Sequence, residues 1–360
     1  SEARLMLSAT CHCQHVLAMP MLGPHCTLSA PCLVQPAFLG PRTYSSHPVA
    51  TAATKPVCMS ETEATGHQGP ATAGDWQQRT RLLLGEQRMD TLSAARVLIV
   101  GLGGVGSWAA EALARAGVGS LVLVDGDFVD VTNCNRQLVA LHSTVGQSKA
   151  AVMEARLKDI APSLVLDARQ EFVRLNCAPS LLAQGARGQD GLVAGYDFVI
   201  DAIDSMLPKL ELIEASARAG VPIITSMGAG GRMDAAQVRV VPLSSTFNDP
   251  FAAHVRKKLR QRGVALEQIS CVWSTEPVSD ASLVRIEHKQ SSAFKRSYHG
   301  TIAWLPSMFG MLAASHVVNY LVKGPGWVSY QAQSSDGWMV AVEAERAKRR
   351  SKSAGSTAVS

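Results

Sequence analysis

Residues 96–106 read Arg96-Val-Leu-Ile-Val-Gly101-Leu-Gly-Gly-Val-Gly106, and an alanine-rich run, Ser107–Gly117, continues them. A short apolar, β-branched run that turns through glycines into a helix is the opening of a nucleotide-binding βαβ unit. Gly101 supplies the tight turn, Gly103 lets backbone approach a phosphate, and Gly106 lets helix pack on strand. Phosphates would then meet unpaired N–H groups at a helix N-terminus. The next apolar run, Ser120–Val124, ends at Asp125, a carboxylate able to accept hydrogen bonds from ribose hydroxyls. Strand, turn, helix, strand and acid stand in register and point to an adenine nucleotide. The pattern alone does not separate ATP from NAD.

Working outward, 360 residues allow one large domain or two modest ones. Hydrophobic content of 47% and charged content of 18% fit a globular protein, and a net charge of +5 permits an acidic partner such as RNA without demanding one. The cysteines Cys11, Cys13, Cys26, Cys32 and Cys58 crowd the first 58 residues, leaving Cys134, Cys177 and Cys271 in the body. None forms a C-x-x-C pair, which argues against a four-cysteine zinc site. Three scattered cysteines in the body argue against a disulfide framework.

Residues 1–74 are rich in Ala, Ser, Thr, Pro and Cys, with Arg4, Arg42 and Lys55 set against Glu2, Glu61 and Glu63. This acid-poor leader reads as disordered and resembles an organelle transit peptide, which would direct the chain to plastid or mitochondrion; otherwise the cytoplasm is expected. Cys11-His-Cys-Gln-His15 carries metal-capable side chains, but a low-complexity leader makes chance the better explanation.

Asp75–Leu84 reads as a helix stopped at Gly85, and Met89–Ala95 as a second. Phe128–Leu141 is polar and irregular, and holds Asn133, Asn135 and Arg136. A helix is expected over Gln147–Ile160 with Lys149 in its first turn, an odd place for a cation because the helix dipole there prefers acids. A bound phosphate would offset that cost. Leu164–Ala168 reads as a weak strand and Ala183–Gly195 as a Gly-rich loop. Tyr196–Ala202 reads as a buried strand running into Asp201-Ala-Ile-Asp204, followed by a helix over 205–219 and a strand over Val221–Thr225. These alternations specify a Rossmann-like, doubly wound, mostly parallel α/β sheet.

From Ser226 an additional α+β region begins, with short strands at Gln237–Val241, Cys271–Ser274 and Leu283–Glu287. A basic helix, Pro250–Arg262, carries Arg256, Lys257, Lys258 and Arg260 and is a candidate nucleic-acid contact. Residues 302–322 are apolar enough to span a bilayer, with Pro306 expected to break the first turn. A buried core or interface helix is the better reading. Beyond Lys323 the pattern is lost, and residues 324–360 read as a basic, disordered tail that carries the basic run Arg346–Lys352.

Arg79, Asp125, Asn133, Asn135, Arg136, Lys149 and Asp204 form one chemical set. A NAD-dependent oxidoreductase has little need of these cations around its nucleotide. An enzyme that cleaves ATP between the α- and β-phosphates needs them to neutralise the pentavalent phosphorus and the departing pyrophosphate. It also needs a carboxylate to hold Mg2+. Gly101–Gly106, Asp125, Thr132-Asn-x-Asn-Arg-Gln137, Lys149 and Asp201-Ala-Ile-Asp204 resemble the adenylation domain of the ubiquitin-activating-type superfamily. Gly101–Glu111, Val199–Ser205, Gly228–Gly231 and Cys271-Val-Trp-Ser-Thr-Glu276 further resemble the tRNA threonylcarbamoyladenosine dehydratases.

That resemblance implies an adenylating domain over 75–323, with 226–323 facing substrate and a second subunit. Its implied ligands are ATP and Mg2+, with Gly101, Gly103, Gly104, Gly106, Asp125, Asn133 and Asn135 at the nucleotide. Arg136 and Lys149 are implied at the phosphates, Asp204 at the metal, and Arg79 across a homodimer interface. The implied substrate is tRNA, with a sulfur-relay or other protein as a possible further partner. The alternative is an activator of a ubiquitin-like or sulfur-carrier protein, which would require a reactive Cys271. A buried structural thiol is the expectation there. A non-catalytic scaffold would have no use for Arg136, Lys149 and Asp204 together.

Overall fold

The computed structural model describes residues 75–174, 176–183, 195–285, 297–324 and 327. The leader (1–74), most of the Gly-rich loop (184–194), residues 286–287 of the last expected strand and the basic tail lie outside them.

Two helices, α1 (Gln78–Leu84) and α2 (Glu86–Ala94), lead into β1 (Arg96–Val100). The order continues α3 (Gly106–Ala116), β2 (Ser120–Val124), α4 (Lys149–Ile160), β3 (Val165–Arg169), α5 (Ala178–Ala183), β4 (Phe198–Asp201), α6 (Met206–Ala219) and β5 (Ile223–Ser226). After β5 come β6 (Val238–Pro242), α7 (Pro250–Gln261), β7 (Ser270–Ser274), the small hairpin β8 (Leu283–Arg285) with β9 (Ser297–His299), and α8 (Trp304–Lys323).

The main sheet has seven strands in the order β3-β2-β1-β4-β5-β7-β6. All its pairs are parallel except β6 with β7. Val97, Leu98, Ile99, Leu121, Val122 and Leu123 are buried on both sheet faces, which explains strands written as continuous β-branched and leucine runs rather than alternating ones. Removing each such side chain from water contributes roughly 1.5–3 kcal/mol. One face packs α3, α4 and α8, and the other packs α5, α6 and α7.

The chain winds outward from β1 to β3 and then returns to lay β4 on the other side of β1, so strand order reverses between β1 and β4. Open α/β sheets bind ligands at the C-terminal ends of the strands flanking such a reversal. Here the register pairs Val100 with Asp201. Gly101 and Ala202 therefore leave the sheet side by side, and the glycine turn and the Asp201–Asp204 turn share one crevice.

Several elements differ from their expected bounds. The turn 131–133 and the helix α5 were not legible, and the helix containing Lys149 starts two residues late because Ser148 caps it, accepting from the Ala151 amide at 3.4 Å. Pro306 does not break α8. It lies in the first turn, where a backbone N–H has no intrahelical partner, so its lack of one costs little. By length and composition α8 could cross a membrane. In the fold, however, Leu305, Phe309, Ala313, Ala314 and Val317 are buried in the core it shares with α3.

Candidate active site

The glycine turn is fixed by steric necessity at two positions. Gly101 has φ 93°, and a Cβ there would lie 2.8 Å from the Ala202 carbonyl oxygen. A Cβ on Gly106 would lie 1.7 Å from the Gly101 oxygen, so only glycine lets α3 begin this close to β1. No side chain caps the start of α3, which leaves backbone N–H groups there for an anion. Gly104 packs against the first turn of α8, its missing Cβ 2.9 Å from the Pro306 Cβ.

Asp125 closes one side of the turn. Its carboxylate accepts from the Leu102 amide at 2.5 Å and from the Asp127 amide at 2.8 Å. Each oxygen keeps lone-pair capacity for a ribose hydroxyl. Burial raises its pKa, and the charge of Lys149 works against that rise. Lys149, at the first position of α4, is 5% exposed and donates to Asp127 at 2.9 Å. It is thus neither a solvated surface lysine nor an uncompensated cation at a helix start, because its ammonium reaches back to Asp127 and Asp125. Asp127 is a residue the sequence reading missed; nothing marked it beyond its place two residues after Asp125.

Arg136 closes the opposite side. Its Nη1 donates to the Thr132 carbonyl at 2.9 Å and to Asn135 Oδ1 at 2.7 Å, and its Cγ lies 3.5 Å from the Cβ position of Gly104. Burial lowers the guanidinium pKa and the Asp204 carboxylate opposes that shift; the group remains charged at any working pH. Asp204 is exposed and stands within electrostatic reach of Arg136. Arg136, Lys149, Asp125 and Asp204 therefore ring the one glycine turn.

The remaining candidates are placed differently. Asn133 is buried in its own turn, where its side chain accepts from the Asp130 amide at 3.3 Å. Asn135 donates to the Thr301 carbonyl at 3.1 Å and so ties the phosphate side to the segment before α8. Gln137 stands at the glycine turn with its Oε1 buried and without a hydrogen-bond partner among the described residues. Arg79 is exposed on α1, and among the described residues no hydrogen bond or ion pair joins it to the crevice. Arg256 is drawn inward to the Thr246 hydroxyl rather than offered to solvent, because α7 buries Ala252, Val255 and Leu259 on that side. Lys257, Lys258 and Arg260 are exposed.

Cys271 lies on β7, the strand next to the β6 edge of the sheet, 0% exposed, and burial raises its thiol pKa well above the ordinary range. It is a structural thiol, with neither thiolate character nor access for chemistry. Asp201, the first acid of Asp201-Ala-Ile-Asp204, is also fully buried and pairs with Lys209; only Asp204 faces the crevice mouth.

The ThiF family model matches residues 77–353. The chain belongs to the ThiF family. Within it, the chain is 38% identical over 263 residues to the tRNA threonylcarbamoyladenosine dehydratase of Escherichia coli (strain K12), covering 69% of this chain and 94% of that protein. It is also 38% identical over 249 residues to the enzyme of the same name from Bacillus subtilis (strain 168), covering 68% and 94%. Among solved structures it matches E. coli tRNA N6-threonylcarbamoyladenosine dehydratase in complex with ATP, with a TM-score of 0.59 at 35% identity, over 70% of this chain and 97% of that one. The ThiF fold accounts for the parallel sheet, its reversal point and the glycine turn.

Proposed function

We propose that this ThiF-family chain is an ATP-dependent tRNA threonylcarbamoyladenosine dehydratase. The observation that carries the reading is the ring of Arg136, Lys149, Asp125 and Asp204 around one glycine turn at the sheet's reversal point. The close likeness to named dehydratases over nearly their full length, one of them solved with ATP, supports it.

The substrate is a tRNA adenosine next to the anticodon whose N6 bears a threonylcarbamoyl group. Its free carboxylate is inert to attack because oxide is a hopeless leaving group. A carboxylate oxygen attacks the α-phosphorus of ATP, the bond to the β-phosphate oxygen breaks, and pyrophosphate leaves. A nitrogen of the carbamoyl unit then attacks the activated carbonyl carbon. The new C–N bond closes a five-membered ring, the C–O bond to AMP breaks, and the nitrogen's proton passes to solvent. The net change is loss of one water, driven by ATP. Ring closure within one molecule enjoys an effective molarity equivalent to roughly 7 kcal/mol or more when aligned, so no enzyme thiol is needed, consistent with a buried Cys271.

In this chemistry the N-terminal amides of α3 cradle the α-phosphate, while Arg136 and Lys149 stabilise charge that grows on the phosphates as the bond breaks. Asp125 orients the ribose. The donor set at the metal position is a single exposed carboxylate, Asp204, and no cluster of three or more metal-capable side chains exists among the described residues. This fits Mg2+, which keeps several waters and is held by one or two carboxylates together with substrate phosphates. When bound, it would polarise the phosphoryl oxygens.

A homodimer forms part of the reading. α1 buries none of its residues, and Leu82 and Leu83 on it are 80% and 79% exposed. A second copy docking there would carry Arg79 to its neighbour's phosphates. Lys257, Lys258 and Arg260 on α7 supply phosphate contacts for the tRNA. Activation of a sulfur-carrier protein through a thioester is disfavoured by the inaccessible Cys271. The deciding experiment is ATP–pyrophosphate exchange. Exchange should require tRNA bearing threonylcarbamoyladenosine, and exchange that ignores that tRNA but responds to a carrier protein's C-terminus would replace this reading.

A further inference from the structure

Beneath the crevice, on the face away from the phosphates, Asp201, Lys209 and Thr225 form a cluster with 0% exposure. The Lys209 ammonium donates to Asp201 Oδ2 at 2.6 Å, to Thr225 Oγ1 at 3.1 Å and to the Ser226 carbonyl at 3.0 Å, so all three of its protons are used. The Thr225 hydroxyl donates to the same Oδ2 at 2.6 Å. The other carboxylate oxygen, Oδ1, accepts from the Ile203 amide at 3.0 Å. One buried charge pair thus joins the C-terminal ends of β4 and β5 to the first turn of α6 and grips the backbone one residue before Asp204.

Stability alone is a poor reason for this arrangement. A buried ion pair is often no more stabilising than well-packed apolar residues of the same volume. An apolar trio, however, could not hold the Ile203 N–H. We infer that Asp201, Lys209 and Thr225 are positioning residues that set the 201–204 turn so that the Asp204 carboxylate stands opposite Arg136. This rests on the proposal that Asp204 acts at the ATP-bound metal. Within the turn, Ala202 donates to the Val100 carbonyl at 2.9 Å and packs under the glycine turn, the Ser205 hydroxyl donates to Asp204 Oδ1 at 3.3 Å, and the Ile203 amide is held by Asp201.

The test is Asp201→Asn in the full-length protein. An amide offers one acceptor and one donor face where the carboxylate offered two acceptors. Whichever way it turns, an N–H meets either the Ile203 amide or the Lys209 ammonium. Well below its unfolding temperature, the variant should need about tenfold more Mg2+ to half-saturate binding of a non-hydrolysable ATP analogue, as outer-shell changes at metal sites do. Titration calorimetry across Mg2+ concentrations reads this without turnover. Combining Asp201→Asn with Lys209→Met removes the donor-against-donor conflict, since the amide oxygen takes the Ile203 N–H and its NH2 donates to the Thr225 hydroxyl. The double variant should return towards the wild-type Mg2+ requirement. Where Asp201→Asn alone does not fold, Thr225→Val removes the hydroxyl's bond to Oδ2 and one of the three acceptors of Lys209 while leaving the Ile203 amide on Oδ1, and should give a smaller shift in the same direction. Wild-type Mg2+ dependence in folded Asp201→Asn, or in Thr225→Val where only that variant folds, overturns the inference. Asp204→Asn separates the two ideas. If it loses Mg2+ coupling while Asp201→Asn keeps it, only the positioning role fails; if Asp204→Asn also keeps it, the metal role of Asp204 fails.

Discussion

Replacing Arg136 with Ala should abolish adenylation while sparing the fold. Among the described residues the guanidinium bonds only to its own segment, at Thr132 and Asn135, and packs its methylenes beside Gly104. Those local, half-exposed bonds are worth about 1 kcal/mol together, so the melting temperature should fall by only roughly 2–4 °C for a body of this size. The kinetic loss should be far larger. A cation aimed at charge that appears only in the transition state typically carries about 100- to 1000-fold in rate, or roughly 3–4 kcal/mol. Pyrophosphate exchange should fall by that factor with ATP binding much less affected, because the ground-state nucleotide retains the α3 amides, Lys149 and Asp125. Arg136→Lys should sit between, keeping charge but losing the planar guanidinium whose Nη1 bonds Thr132 and Asn135 and whose other donors are free to meet a phosphate. A folded Arg136→Ala protein that exchanges pyrophosphate within a few-fold of wild type would refute the assignment.

Gly106→Ala should cost about 3 kcal/mol or more and lose nucleotide binding, because its Cβ meets the Gly101 carbonyl oxygen at 1.7 Å and backbone must move; chemical denaturation and analogue titration check both. Cys271→Ala should lower stability by about 1–2 kcal/mol for the small void it leaves and keep full dehydratase activity, whereas a dead but folded variant would revive the thioester alternative. Mixing inactive Arg79→Ala with inactive Lys149→Ala subunits should revive activity, since a mixed dimer with Arg79 acting across the interface keeps one intact site. Equally inactive mixtures, with subunit exchange verified, would place Arg79 in its own subunit's site. His316 is buried on α8, its Nδ1 without a hydrogen-bond partner among the described residues, and burial depresses its pKa from 6.5 to about 4. Its contribution is present above the unfolded value and is lost as pH falls from 6.5 towards 4. The total is about 3 kcal/mol, and His316→Phe should flatten that part of the pH–stability curve.

The parts of this fold that could be read from sequence are those where composition leaves one solution. Arg96–Val100 and its glycines admit only a strand, a tight turn and a helix, because Gly101 and Gly106 sit where any Cβ would strike backbone. The alternation through Val221–Thr225 then requires a parallel sheet. What could not be read depends on contacts between distant residues. The antiparallel β6 resembles any short apolar strand, and its direction is fixed by pairing with β7 rather than by its own residues. Asp201 and Asp204 are equivalent in a linear motif; the sheet register buries the first against Lys209 and turns the second to the crevice. Lys149 looked uncompensated because Asp127 lies 22 residues away in sequence yet 2.9 Å away in space. The basic run on α7 hid a division of labour, with Arg256 turned in to Thr246 while its neighbours face solvent.

The central claim is that cations and an acid around one glycine turn convert a substrate carboxylate into a mixed anhydride that closes on itself. The most direct measurement is mass spectrometry of nucleosides from tRNA carrying threonylcarbamoyladenosine, after incubation with this protein, ATP and Mg2+. The account predicts that threonylcarbamoyladenosine loses the mass of one water, with AMP and pyrophosphate formed in step. A modified nucleoside of unchanged mass, under conditions in which the protein binds both ATP and that tRNA, would contradict it.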